Sequence, residues 1–230
     1  MKKNTIDYLR NKIGRYKWLR NILMPINNII RRKDEKRMNE HFRKSSDSVF
    51  NLIYDTLNEA NVEFWPEFGT LLGIYRENDF LKHDLDFDFG TFEENHDLIH
   101  SLLTNVGFVL KHKYEGVNHP EIKEVSYEYN GVGVDFFYFL RGVEKDVCHT
   151  FILSDAKMNR SDSTFKVKVF AFNKIILTDY SFKGRTIQVP NDTREHLIVS
   201  YGPSFMTPDK NFKSINHNYL DGIFAKEYLY

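Results

Sequence analysis

Lys82-His83-Asp84-Leu85-Asp86-Phe87-Asp88-Phe89-Gly90 sets three carboxylates at alternate positions, with bulky apolar residues between them. A period of two is that of a β-strand, whose side chains at i, i+2 and i+4 share one face. Asp84, Asp86 and Asp88 are therefore expected to line one face, with Leu85, Phe87 and Phe89 in a core. Carboxylates held side by side repel one another, and a cation between them relieves the repulsion. Oxygen-only donors suit Mg²⁺ or Mn²⁺, the ions of phosphoryl chemistry. A half-buried strand with its acids facing water is the plain alternative. An EF-hand loop is another, but it needs Gly at its sixth position and Glu at its twelfth. Those positions hold Phe89 and Asn95.

Two further pieces could converge on these acids. Gly69-Thr70 stands between a strand-like and a helix-like segment. Glycine lets a phosphate approach the backbone, and a helix start offers free N–H groups to an anion. A structural turn explains the same pair. Asp135 is the one acid in the apolar run Val132-Gly133-Val134-Asp135-Phe136-Phe137. Burying a lone charge is costly, so a metal or a basic partner is expected beside it. Lys82 and His83 flank the acids and could meet a phosphate, although an exposed lysine and an ordinary histidine at a strand edge fit the pattern as well.

Several elements must position these residues. A helix is expected over 45–60, with Val49, Phe50, Ile53, Leu57 and Ala60 on one side. Val62–Trp65 reads as a strand, and Gly69 opens a short helix that carries Arg76. Residues 93–105 read as a helix closed by Gly107. Strands follow at 108–114, 122–129 and 132–140, and Asn130-Gly131 marks a hairpin between the last two. More strand signals fill 147–153, 164–172 and 174–189, with loops at 155–163 and around Gly184. A helix over 193–201 leads into Tyr201-Gly202-Pro203. This order predicts one α+β domain around a mixed or antiparallel sheet flanked by helices.

The chain has 230 residues, 20 of them Phe and 13 Tyr, which supports a well-filled core rich in β structure. Its single cysteine excludes an internal disulfide and a cysteine-based zinc site. No apolar run reaches the length of a membrane span, and no secretory leader is apparent. Net charge is zero, yet residues 1–45 carry 14 Lys or Arg against 4 Asp or Glu. The rest of the chain is acidic. Ile6, Leu9, Ile13, Tyr16, Leu19, Leu23 and Ile26 recur at helical spacing among the basic residues, and Pro25 is expected to kink or divide that helix. The sequence thus divides into a basic amphipathic helical arm, 1–45, and a catalytic domain, 46–230. The arm either lies on an anionic membrane surface or packs on the body or a second subunit. The acidic body and the lack of a base-reading motif argue against nucleic acid as a partner.

Gly69-Thr70-Leu71-Leu72-Gly73-Ile74-Tyr75-Arg76 and then Phe80-Leu81-Lys82-His83-Asp84-Leu85-Asp86-Phe87-Asp88 resemble the signature of the LicD/fukutin family, within the nucleotidyltransferase-fold superfamily. Val189-Pro190, His196-Leu197, Tyr201-Gly202-Pro203-Ser204-Phe205 and Pro208 resemble its closing element. The similarity covers roughly residues 62–208. It implies metal-dependent transfer of a phospho-alcohol group (ribitol phosphate, glycerol phosphate or phosphocholine) from a CDP-linked donor to a hydroxyl of a surface glycan. Carried onto this chain, Asp86 and Asp88 hold Mg²⁺ or Mn²⁺, and Asp135 is the third ligand or the base for the acceptor hydroxyl. Asp84 is an accessory acid, Arg76 neutralises donor phosphate charge, and Gly69-Thr70 cradles it. The resemblance also implies a cytoplasmic protein, peripheral at the inner face of the membrane. Many bacterial relatives have Trp and a further Asp where this chain has His83 and Leu85, so fewer acids are available here. Two other functions share the same residues: NMP transfer from an NTP with pyrophosphate release, and a non-catalytic membrane-associated scaffold. Acceptor specificity is expected in 110–175, whose Tyr and Phe residues either stack on sugars or form core.

Overall fold

A computed structural model describes residues 17–153, 165–209, 212 and 219–230. The chain opens on a long helix, α1 (Lys17–Glu59), followed by β1 (Phe64–Pro66) and α2 (Phe68–Glu77). Then come β2 (Asp86–Phe92), a 3-10 turn (Glu93–Asn95) and α3 (His96–Asn105). Strands β3 (Val109–Gly116), β4 (His119–Tyr129), β5 (Val132–Phe139), β6 (Lys145–Leu153) and β7 (Phe165–Asn173) follow. The ribbon β8 (Leu177–Phe182) and β9 (Arg185–Pro190) precedes α4 (Thr193–Tyr201) and β10 (Tyr219–Leu229).

Eight strands form one sheet in the order β1-β2-β5-β4-β3-β10-β7-β6, and β8 and β9 pair separately. Only β2 and β5 run parallel; the other pairs are antiparallel. An isolated bridge joins Leu140 to Val147 and brings β6 back to the end of β5, so the sheet curls on itself. The architecture is thus a mixed α/β domain with a curled, mostly antiparallel sheet and few helices; of these features the element order predicts the mixed sheet.

The turns follow from local chemistry. Asn130 and Gly131 both have positive φ, the geometry of a tight hairpin that twists with its strands. Gly107 takes the left-handed conformation that closes α3. Strand β2 keeps its period of two: Phe87 and Phe89 are fully buried, and Asp86 and Asp88 alternate with them on the other face. Phe87 packs on Phe42 and Phe50 of α1, with ring centroids 4.8 and 5.6 Å apart. Each buried ring of this kind contributes about 1.5–3 kcal/mol relative to exposure.

Three expectations are corrected. The strand begins at Asp86, so Asp84 sits on the loop before it, and Leu85 is only half-buried. The helices expected on either side of residue 45 are one, because α1 continues through Pro25 and residue 45 to Glu59. The reason is packing: Phe42 is buried in the same core as Val49, Phe50 and Ile53, so the body continues to order the helix N-terminal of residue 45. Strand β10 has no counterpart in the expected elements, yet it separates β3 from β7. The apolar positions Ile6, Leu9, Ile13 and Tyr16, and the expected loop 155–163, lie outside the described residues.

Candidate active site

Parallel pairing sets Asp86 opposite Gly133 and Asp88 opposite Asp135. Strands in a sheet lie about 4.8 Å apart, so Asp88 and Asp135 are neighbours on one face. The start of α2 closes over them. The Gly69 N–H donates to Asp88 Oδ2 at 3.0 Å, and the Asp88 N–H donates to Thr70 Oγ1 at 2.9 Å. A Cβ on residue 69 would come within 3.2 Å of Asp88 Oδ2 and 3.7 Å of Asp84 Oδ1, so glycine leaves room for both carboxylates. Just before it, Phe68 adopts φ +39°, a strained value for a residue with a side chain.

That strained turn is held from below. Glu67, completely buried, accepts from Trp65 Nε1 at 2.8 Å and from the Phe68 N–H at 3.2 Å. His196 Nε2 on α4 lies 2.9 Å from both oxygens of the same carboxylate, and its ring stacks on Phe172 at 4.0 Å. The Glu67 N–H also donates to the Asp88 carbonyl. The segment that resembles a family's closing element is thus bolted to the Gly-Thr turn.

Electrostatics separate the acids from ordinary surface carboxylates. Burial, then the charges of Asp86, Asp135 and Asp84, push Asp88 well above the usual range, and the Gly69 N–H opposes them. Burial and Asp86 raise Asp84 to about 7. Burial raises Asp135 to about 7 against a hydrogen bond from Ser126, with Asp86 adding to the rise. Asp86, at the open end of the row, is shifted upward by the protein around its carboxyl. Glu124 on β4 joins them: burial, then Asp135 and Asp86, lift it well above its ordinary value. Burial, followed by Asp88, Glu67 and Asp84, raises the Tyr201 phenol.

The structure therefore brings together Asp84, Asp86, Asp88, Asp135, Gly69 and Thr70. The hydrogen bonds of Gly69 and Thr70 go to Asp88 rather than outward. Arg76 is close enough to favour ionised Asp84. Its Nη1 donates to the Phe205 carbonyl at 3.0 Å and its Nη2 to Glu77 at 2.9 Å, while Nε is buried without a hydrogen-bond partner. Lys82 and His83 are exposed on the loop before β2. Asn39 of α1 clamps that loop, donating to the carbonyls of Lys82 and Asp84 at 2.9 Å each. Most aromatic residues expected to govern acceptor choice are core: Tyr127, Phe136, Tyr138, Phe139 and Phe172 are buried.

Sequence reasoning missed Glu67, Glu124, Ser126, Asn39 and the placement of Tyr201. Glu67 precedes the Gly-Thr motif and could have been suspected as an acid between apolar residues. The others depend on pairing and packing. The acids supply only hard oxygen donors, which suits Mg²⁺ or Mn²⁺. Among the described residues, no three His, Cys, Asp or Glu side chains are drawn together tightly enough to form a metal site as they stand. The fit thus lies in donor chemistry and in charge that needs a counter-ion.

The curled sheet and its acid-lined strand pair belong to a known family. A model described as LicD/FKTN/FKRP, nucleotidyltransferase domain, matches residues 61–192, and the chain is a member of that family. Among its relatives, the ribitol-5-phosphate transferases FKTN of Homo sapiens and Macaca fascicularis are each 28% identical over 174 residues, which is 74% of this chain. The chain spans 35% of the length of either relative.

Proposed function

We propose that this chain transfers a phospho-alcohol group (ribitol phosphate, glycerol phosphate or phosphocholine) from a CDP-linked donor to a glycan hydroxyl, releasing CMP. The observation that carries the proposal is the Asp88–Asp135 pair on adjacent parallel strands, capped by the Gly69 N–H. Membership of a family with ribitol-5-phosphate transferases supports it.

Asp86 and Asp88 would hold Mg²⁺ or Mn²⁺, with Asp84 as an accessory acid. Asp135 either completes that set or takes the proton of the acceptor hydroxyl. A bound divalent ion would neutralise diphosphate charge and favour the departure of CMP. The turn at Gly69-Thr70 fixes Asp88, Arg76 and Lys82 add positive charge around an anionic donor, and His83 could bind its phosphate when protonated. Phosphoryl transfer needs this kind of positioning more than a covalent catalyst. The reaction is assigned to the cytoplasmic face of a membrane, with the basic N-terminal segment on anionic lipid. The described helices include none long and apolar enough to cross a bilayer.

The test is a donor panel of CDP-ribitol, CDP-glycerol, CDP-choline and NTPs, with Mn²⁺ or Mg²⁺ and candidate glycans, following CMP and pyrophosphate. CMP release that depends on metal and acceptor is expected. Metal-dependent pyrophosphate without CMP would instead establish nucleotidyl transfer, and no turnover together with no metal binding would favour a scaffold. For the membrane, co-sedimentation with anionic liposomes should fall in a chain lacking residues 1–33, a cut that spares Asn39 and Phe42. Equal pelleting would remove that segment as the anchor.

A further inference from the structure

The acid pair is the near end of a longer row. Asp88, Asp135, Ser126 and His112 follow one register line across β2, β5, β4 and β3. Residues directly opposite one another in a sheet point to the same face. Ser126 Oγ donates to Asp135 Oδ1, and His112 Nε2 lies 2.9 Å from the same hydroxyl oxygen. A serine hydroxyl has one proton to give. An ionised Asp135 can only accept, so in that state the proton goes to Asp135 and the contact with His112 requires the ring to donate, which assigns the ring proton to Nε2. The edge of the Tyr114 ring meets His112 at 5.0 Å and limits its rotation. Both hydrogen bonds therefore run toward Asp135, and Oδ1 is occupied.

We propose that Ser126 and His112 are positioning residues that fix the Asp135 carboxylate and present Oδ2 alone to the acceptor hydroxyl or the cation. The assignment rests on the phosphotransfer proposed above. His112 reaches Asp135 through Ser126, and that dependence distinguishes it from a residue that touches substrate. Misplacing a reacting group by about 1 Å costs on the order of 100-fold in rate. Losing the serine hydroxyl should then lower kcat by about 10- to 100-fold.

Steady-state kinetics of Ser126→Ala, Ser126→Thr, His112→Ala and the double Ser126→Ala/His112→Ala variant test the row. The expected result is a lower kcat for Ser126→Ala with the donor KM unchanged. Ser126→Thr should recover most of the rate. The double variant should be no slower than Ser126→Ala, because the path from His112 to Asp135 runs through that hydroxyl. Additive losses, or wild-type kcat in Ser126→Ala, would overturn the proposal. A readout independent of turnover is ¹⁵N NMR of labelled histidine. It should show His112 as the Nε2–H tautomer, with a resonance that shifts in Ser126→Ala and in Asp135→Asn. An Nδ1–H tautomer would sink the row even in an active enzyme. An inactive wild type with the expected tautomer would overturn the donor assignment and leave the row standing.

Discussion

Asp146 and Asp88 both sit against a β-rich core, the first buried and the second half-buried, and they are treated in opposite ways. Asp146 is fully buried and fully partnered: Lys174 pairs with Oδ1, the Gly142 N–H reaches the same oxygen, and the Ile175 N–H reaches Oδ2 at 2.9 Å. Asp88 receives one N–H, from Gly69, and is surrounded by Asp84, Asp86 and Asp135. Folding has compensated the first charge and left the second to something outside the chain. A buried acid with its own cation is architecture; an acid among like charges is a place where a cationic or proton-bearing partner is expected.

The sharpest way to break this contrast is to neutralise each acid. Asp88→Asn should lower metal-dependent product formation by on the order of 1,000-fold while Tm holds or rises, because a repelled charge is removed. Loss of folding by circular dichroism would place Asp88 with Asp146. Asp146→Ala should do the reverse. Lys174 is partly exposed and keeps the Gly142 carbonyl, but leaving the Gly142 and Ile175 N–H groups without their acceptor should cost about 3 kcal/mol, a Tm fall of roughly 6–12 °C for a chain of this size. Turnover per folded molecule should stay at the wild-type value.

Acidity gives a gentler probe. Asp84 and Asp135 titrate near 7 in the folded protein, above their values in an unfolded chain. Between these limits the folded state binds more protons, so stability falls as pH rises and grows as pH falls from about 8 to 5. Metal-free protein should therefore melt higher at pH 5 than at pH 8, and Asp135→Asn should flatten that slope. An unchanged slope would mean that these acids are not crowded in solution. The smallest effect is expected at Asn39. Asn39→Ala removes two hydrogen bonds to the Asp84 loop, worth about 1 kcal/mol each. The donor KM should rise a few-fold with kcat nearly intact; a kcat loss as large as that of Asp88→Asn would make the clamp part of the chemistry.

Much of this was legible in residue order. The alternation of β2, the Asn130-Gly131 hairpin and the bounds of α4 follow from local periods and turn chemistry. So did the acids Asp86, Asp88 and Asp135, because a charged residue in an apolar strand announces itself. What stayed hidden depends on which strands pair. Nothing in the local sequence says that β2 lies parallel to β5, or that β10 enters between β3 and β7. Ser126, His112 and Glu124 look like ordinary polar positions of surface strands until register sets them beside Asp135. Asn39 was hidden by a charge boundary that is not a packing boundary.

That continuity of α1 has a mechanical meaning. An α-helix advances about 1.5 Å per residue, so Lys17 to Asn39 is a path of roughly 33 Å along one hydrogen-bonded rod. On the way it carries Lys17, Arg20 and the cluster Arg31-Arg32-Lys33, and at Asn39 it grips the loop that carries Asp84. A surface that held those basic residues would be linked to that loop through one continuous helix. The rod would act as a spacer, fixing how far above an anionic surface the acids stand and which acceptor chains can reach them.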